Sequence, residues 1–162
     1  MLALNHLGGR VTVDRLNDDS LQSDRACVEY FKRLDEGFCE INIENCPDLG
    51  PILFTVAAAK DGARFVGTRR LKIKESDRAE AMKEERHKCV AEIIIEENSV
   101  TVKKCPLHSP TVILNGHGDH RIVMSLAILC TLYGGEIEGC EAVAKSYPDF
   151  WNDLVTLGIK VS

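Results

Sequence analysis

The feature that most constrains this chain is a plan that recurs three times. Gly9, Gly62 and Gly135 each close an apolar stretch and precede a short run with strand character: Val11–Val13, Ala63–Val66 and Glu136–Glu138. At nearly the same distance beyond each glycine comes an aspartate, Asp24, Asp77 or Asp149, that opens a new helix-like segment. Units spaced this regularly predict a repetitive α/β domain, and the spacing carries more weight than residue identity. The plan also sets three loops at equivalent ends of the units: Ser20-Leu-Gln-Ser-Asp24-Arg25, Lys74-Glu-Ser-Asp77-Arg78 and Lys145-Ser-Tyr-Pro-Asp149. Cationic loops that gather in this way can build a site for anions. In the second and third units the helix before the glycine begins near Asp48 and Asp119. The matching start in the first unit falls before residue 1. Met1–Leu7 is therefore expected to be the tail of a helix, because a helix so short is marginal in water by itself.

With 162 residues, the chain is expected to form one domain spanning 1–162, large enough for a real core. A net charge of −5 argues against a general nucleic-acid binder. No apolar run is long enough to span a membrane, and nothing resembles a signal peptide. The seven cysteines are odd in number and contain no CxxC pair. They are expected to be reduced, mostly buried thiols in a cytoplasmic protein.

Asp24–Leu34 has helical spacing through Ala26, Cys27, Tyr30, Phe31 and Leu34. Cys39–Glu44 alternates as a strand, with Ile41 and Ile43 on one face. Pro47–Lys60 is almost wholly apolar after Asp48 and predicts a buried helix, with Pro47 suited to its first turn. Ser76–Lys88 predicts a charged helix capped by Ser76. Glu92–Glu96 and Val100–Lys103 predict a hairpin. Thr111–Leu114 predicts a strand, and Asp119–Tyr133 a second buried helix closed by Gly134-Gly135. Pro148–Leu157 predicts a last helix and Ile159–Val161 a last strand. Two residues break the pattern. Arg86 falls where the inward face of its helix should continue from Met82, and Val90 stands where a terminating glycine belongs.

The densest group of cations is Arg69, Arg70, Lys72, Lys74 and Arg78, leading into a helix start. Free N–H groups at such a start add to the attraction for phosphate or carboxylate. Lys74 and Arg78 can grip one anion from two sides. Glu75 between them is either an ion-pair partner or a proton carrier beside a bound anion. His120 and Arg121 follow Asp119 in the first turn of an apolar helix, a poor place for cations unless an anion binds there. Lys145 again precedes a helix. Asp48, alone among apolar residues, serves either the helix macrodipole or a substrate hydroxyl. Cys105, His108, His117 and His120 offer zinc-type ligands in two pairs. The intervening Thr111–Leu114 strand would carry those pairs apart. No cysteine stands beside a histidine in a nucleophile signature.

Lys72-Ile-Lys-Glu-Ser-Asp-Arg78, Gly118-Asp-His-Arg-Ile-Val-Met124 and Ala144-Lys-Ser-Tyr-Pro-Asp-Phe150 closely resemble the 5-enolpyruvylshikimate-3-phosphate (EPSP) synthase family. Cys46-Pro-Asp-Leu-Gly-Pro51 and Ser20-Leu-Gln-Ser-Asp24 fit it in the same order. The resemblance covers essentially the whole chain, but only the C-terminal part of the family's enzyme. It implies a two-lobed protein, each lobe a prism of βαβαββ units with sheets outside and helices inside. This chain would be most of the second lobe, with its first unit truncated and the N-terminal lobe absent.

The resemblance also implies a reaction. The family transfers the enolpyruvyl group of phosphoenolpyruvate to the 5-hydroxyl of shikimate 3-phosphate and releases phosphate, with no redox cofactor and no metal. Asp48 resembles the residue that holds the shikimate hydroxyls and takes a proton. Lys74 resembles the contact to shikimate 3-phosphate, and Glu75 the proton carrier at the methylene carbon. Arg78, Arg121 and Lys145 resemble the grip on phosphoenolpyruvate, with His120 beside them in a supporting role. Arg86, Val90 and Ser23 stand where the family has an apolar residue and two glycines. The chain is expected to be inactive alone and to expose apolar surface through which it self-associates. A non-catalytic anion-binding module is the competing reading. A sister transferase acting on a nucleotide sugar fits the Lys-Glu-Ser-Asp-Arg and Lys-Ser-Tyr-Pro-Asp motifs less well.

Overall fold

The computed structural model describes residues 1–13, 23–89 and 92–162. Val90 and residues 20–22 of the Ser20–Asp24 motif lie outside them, as do the side chains of Ser23 and Asp24. In chain order the elements are α1 (Ala3–His6), α2 (Cys27–Glu36), β1 (Cys39–Asn42), α3 (Gly50–Ala59), β2 (Gly62–Val66) and α4 (Arg78–His87). Then come β3 (Ile93–Ile95), β4 (Ser99–Lys103), β5 (Leu114–Asn115), α5 (His120–Tyr133), β6 (Ile137–Glu138) and α6 (Phe150–Thr156). Short 3-10 turns at Ser23–Ala26, Pro47–Leu49, Arg69–Ile73 and Cys140–Lys145 lead into or out of these elements.

The strands from β1 to β4 form one sheet of order β1-β2-β4-β3. β1 and β2 run parallel across the α3 crossover, and β4 lies antiparallel to both β2 and β3. Alternation sets the two faces of the sheet. Ile41, Ala63, Phe65, Val100 and Val102 point into the core. Arg64 and Glu40 pair on the other face at 2.6 Å. Phe65 meets Phe54 of α3 with ring centroids 4.9 Å apart. At Gly62, φ is +82° and a β-carbon would come within 2.5 Å of the Val102 carbonyl, so only glycine fits this strand start. β5 and β6 form a separate parallel pair across α5.

α3 is buried along nearly its whole length, between the sheet on one side and α5 on the other. Apart from Thr55 its sequence is apolar and leaves no face suited to water. α5 buries Ile122, Val123 and Ser125–Leu129. Thr55 resolves its one polar group by donating to Pro51 O at 3.2 Å within its own helix. α4 packs against α3, β3 and α5.

Most predicted elements appear in place, with several corrections. Asp77, not Ser76, caps α4: its side chain accepts the Glu80 N–H at 3.2 Å. Of Thr111–Leu114 only Leu114 is in a strand, and Val112 and Ile113 are exposed. Val11–Val13 and Ile159–Val161 form no strand. A β-like run becomes a strand only where another strand completes its hydrogen bonds. Only Cys46 and Cys89 are buried; the other five cysteines are half-buried. Among the described residues no helix is long and apolar enough to cross a membrane.

Candidate active site

Three element starts meet at one place. Asp48 lies in the 3-10 turn that leads into α3, Arg78 opens α4, and Asp119 caps α5 by accepting the Arg121 N–H at 2.9 Å. Each start leaves N–H groups unpaired and carries the positive end of a helix dipole. Carboxylates are therefore at home here. The local sequence supplies them at each start, as Pro47-Asp48, Asp77-Arg78 and Asp119-His120.

Arg78 lies at the centre, 1% exposed. Its Nε donates to Asp119 Oδ2 at 2.7 Å and one Nη donates to Asp48 Oδ1 at 2.6 Å. The other Nη reaches Glu75 Oε2 at 2.7 Å and Asp119 Oδ1 at 3.3 Å. The contact with Asp119 is the two-toothed fork that suits a planar guanidinium to a carboxylate. Asp119 is itself fully buried and also accepts from Ser76 Oγ at 3.1 Å. Burial alone would lower the Arg78 pKa, but bonds to Asp119 and Asp48 raise it. Burial likewise opposes the charge on Asp119. Arg78, the Arg121 N–H and Ser76 more than compensate and hold its pKa below the usual carboxylate range.

Above this floor lies a rim that remains open to solvent. Lys74 Nζ stands 3.0 Å from Asp48 Oδ1, with its side chain 22% exposed. Arg121 reaches the Asp48 carbonyl at 3.3 Å and Asp48 Oδ2 at 3.4 Å. Glu75 is exposed apart from its bond to Arg78. Burial pushes the Asp48 pKa up, but the bonds from Lys74 and Arg78 and the charge of Arg121 draw it down to about 2. Asp48 is thus an anion throughout the physiological range. With Lys74, Arg78 and Arg121 in place it is an acceptor and a weak base. Three cations thus face three carboxylates.

Among the described residues the other predicted ones make no side-chain bond to this cluster. His120 is half-buried at the first position of α5. Lys145 ends the 3-10 turn that packs on α5, is exposed, and among the described residues makes no hydrogen bond or ion pair with Asp48 or Arg78. Tyr147 of the same motif donates to Asp153, a bond that raises its pKa to about 12. Arg69 pairs with Glu97 at 2.5 Å and Arg70 with the Glu44 carbonyl at 3.3 Å, so neither reaches the centre. The four zinc-type residues do not gather. Among the described residues only His117 of the four belongs to a group of possible metal ligands, with Glu84 and Glu85.

Sequence reasoning places Asp119 at the start of a buried helix and does not identify it as the main partner of Arg78. It also passed over Ser76 as a partner to Asp119. The signal for Asp119 was available, since a carboxylate just ahead of two cations at a helix start has more to do than cap.

The model of the family described as EPSP synthase (3-phosphoshikimate 1-carboxyvinyltransferase) matches residues 3–154. The chain belongs to the EPSP synthase family. It is similar to the 3-phosphoshikimate 1-carboxyvinyltransferase of Clostridium acetobutylicum, at 37% identity over 97% of this chain and 40% of that relative. It is similar to the Clostridium kluyveri enzyme of the same name at 35% identity, over 97% of this chain and 41% of that one. A solved EPSP synthase from Acinetobacter baumannii superposes on 74% of this chain and 29% of its own, with a TM-score of 0.66 and 25% identity. The mixed α/β fold is thus like that of EPSP synthases. The chain spans about 40% of the length of the curated relatives it matches.

Proposed function

We propose that this chain carries one half of an EPSP synthase site. The full site joins phosphoenolpyruvate to shikimate 3-phosphate, a step in the shikimate pathway to aromatic amino acids. The observation that carries this reading is the meeting of Asp48, Lys74, Glu75, Arg78, Asp119 and Arg121 at three helix starts. Residues 1–162 then belong to the C-terminal lobe, a prism of repeated βαβαββ units. The run β1-α3-β2-α4-β3-β4 has the order of one such unit. Cytoplasmic location belongs to the same reading, since seven cysteines without a CxxC pair suit a reducing compartment.

In the reaction the 5-hydroxyl oxygen of shikimate 3-phosphate bonds to the central carbon of phosphoenolpyruvate. Its proton passes to Asp48, and Glu75 delivers a proton to the methylene carbon. A tetrahedral adduct results. Glu75 then recovers a proton from the new methyl group as the carbon–oxygen bond to phosphate breaks, and the proton held by Asp48 leaves with the phosphate. Arg121, Lys145 and the floor laid by Arg78 balance the negative charge that gathers at this centre, with Lys74 on the shikimate phosphate and His120 in support. No cofactor or metal takes part. The alternative, a plain anion-binding module, is not favoured, because the family model and the relatives that match are those of a transferase.

The chain alone should release no phosphate from its two substrates, and mixing in a separately made N-terminal lobe should restore turnover. Phosphate release by the isolated chain, or none after mixing, contradicts the reading. In calorimetric titration of the mixture with phosphoenolpyruvate, Arg121→Ala should weaken binding by about tenfold or more, the scale of one lost charge-assisted contact. Arg69→Ala should change it little, because Arg69 is occupied with Glu97. Exposed Phe38 and Ile73, at 61% and 78%, are where self-association is expected, and light scattering against concentration reads it.

A further inference from the structure

Glu85 is fully buried near the end of α4, and the site above does not account for it. Its Oε1 accepts from Lys88 Nζ at 2.9 Å and from His117 Nε2 at 2.9 Å. Its Oε2 accepts from Lys88 Nζ at 2.8 Å and from the Asn115 N–H at 2.8 Å. A carboxylate offers only lone pairs, so His117 presents Nε2–H to it. Asn115 Oδ1 in turn accepts the His117 N–H at 2.6 Å. Among the described residues His117 alone holds a positive φ, 51°, without being glycine, a conformation that a residue with a β-carbon avoids unless its contacts hold it there. Two residues on, the Asp119 N–H bonds the Gly116 carbonyl at 3.0 Å, and the Asp119 carboxylate meets Arg78.

Arg78 and Glu85 lie about two turns apart on one face of α4. One rigid helix therefore grips the Asn115–Asp119 turn at two points: Arg78 at its end, and Glu85 at its beginning and middle. Two points fix an orientation where one would leave a pivot. We propose that Glu85 is a positioning residue for the site: acting through His117 and Asn115, it sets the turn that delivers Asp119 to Arg78. That the cluster so aligned is a reaction centre rests on the function proposed above; the clamp itself does not.

The test uses hydrogen exchange of the Arg78 Nε–H in the nitrogen-15-labelled chain, because that proton lies in the bond to Asp119. Glu85→Ala and His117→Ala should each speed its exchange by about tenfold, the factor that goes with losing one charge-assisted hydrogen bond. The backbone amides of α3 should keep wild-type protection. Glu85→Gln still accepts from the Asn115 N–H and should stay within about threefold of wild type. If Glu85→Ala does not fold, His117→Ala carries the test from a half-exposed position. Wild-type exchange at Arg78 in folded His117→Ala overturns the proposal. Equal loss of protection throughout α3 overturns it too, because that marks a global role only. A phosphoenolpyruvate titration of the wild-type chain mixed with the N-terminal lobe is read separately. Failure to bind counts against the functional reading and leaves the Arg78 measurement standing.

Discussion

Arg78 and Arg86 stand on the same helix and are both excluded from solvent, yet they meet opposite surroundings. Arg78 is met by Asp48, Glu75 and Asp119, and its nitrogens donate to all three. Among the described residues Arg86 has one bond, from an Nη to the Phe54 carbonyl at 3.2 Å, and its Nε and other Nη find no partner. Burial outweighs everything else near Arg86 and brings its pKa down to about 10, whereas Arg78 is pushed up. The lesson is that burial does not settle whether a charge stabilises a fold. A buried charge stabilises only with close, complete partners, and otherwise costs several kcal/mol. Helix starts supplied those partners to Arg78. The thiols of Cys89 and Cys130 near Arg86 cannot, since burial raises their pKa, that of Cys130 to about 11.

The largest effect should come from Arg78→Met. It strands Asp119 without a countercharge in the interior and should cost ~3–5 kcal/mol in urea unfolding. A loss under about 1 kcal/mol would show that water readily reaches Asp119, and the contrast would collapse. Next comes Arg86→Leu, which removes the unpartnered guanidinium from the core. It should stabilise the chain by ~1–4 kcal/mol, seen as a higher melting temperature. A lower melting temperature would mean that Arg86 finds partners in solution. The smallest effect concerns acid. The folded-state pKa of Asp48 is depressed, so its contribution is present above the ordinary aspartate range and is lost as pH falls through about 2. Discounted for partial exposure, that is ~1–2 kcal/mol, read from urea midpoints on descending pH. Arg78→Met should flatten this acid dependence, and Arg86→Leu should leave it intact.

Much of this was readable before the fold was known. Helices α3 and α5 were legible because a long, largely apolar stretch running up to a glycine leaves little else to form. The hairpin of β3 and β4 was legible from its polar turn. Arg86 was conspicuous as a charge on an inward face, although only the packing of α3 and α5 showed that no carboxylate among the described residues answers it. The predicted strands at Val11–Val13, Thr111–Leu114 and Ile159–Val161 failed or shrank, because alternation records a tendency and pairing decides the outcome. Asp48, Lys74, Glu75, Arg78 and Arg121 were named from motifs and do come together. Lys145 was named equally well, and among the described residues it makes no hydrogen bond or ion pair with Asp48 or Arg78. Glu85 went unnoticed, although a carboxylate on the same helical face as Arg78 and two turns along was a visible signal.

By itself, then, the sequence determined the family, the helices and the membership of most of the cluster. Each of these rests on motifs or on hydrogen bonds between near neighbours in the chain. Tertiary structure alone decided which charges face one another: Arg78 and Asp119 are separated by 41 residues, and Glu85 and His117 by 32. The partner that turns a buried charge from a cost into a support comes from a different element. No local pattern specifies its distance.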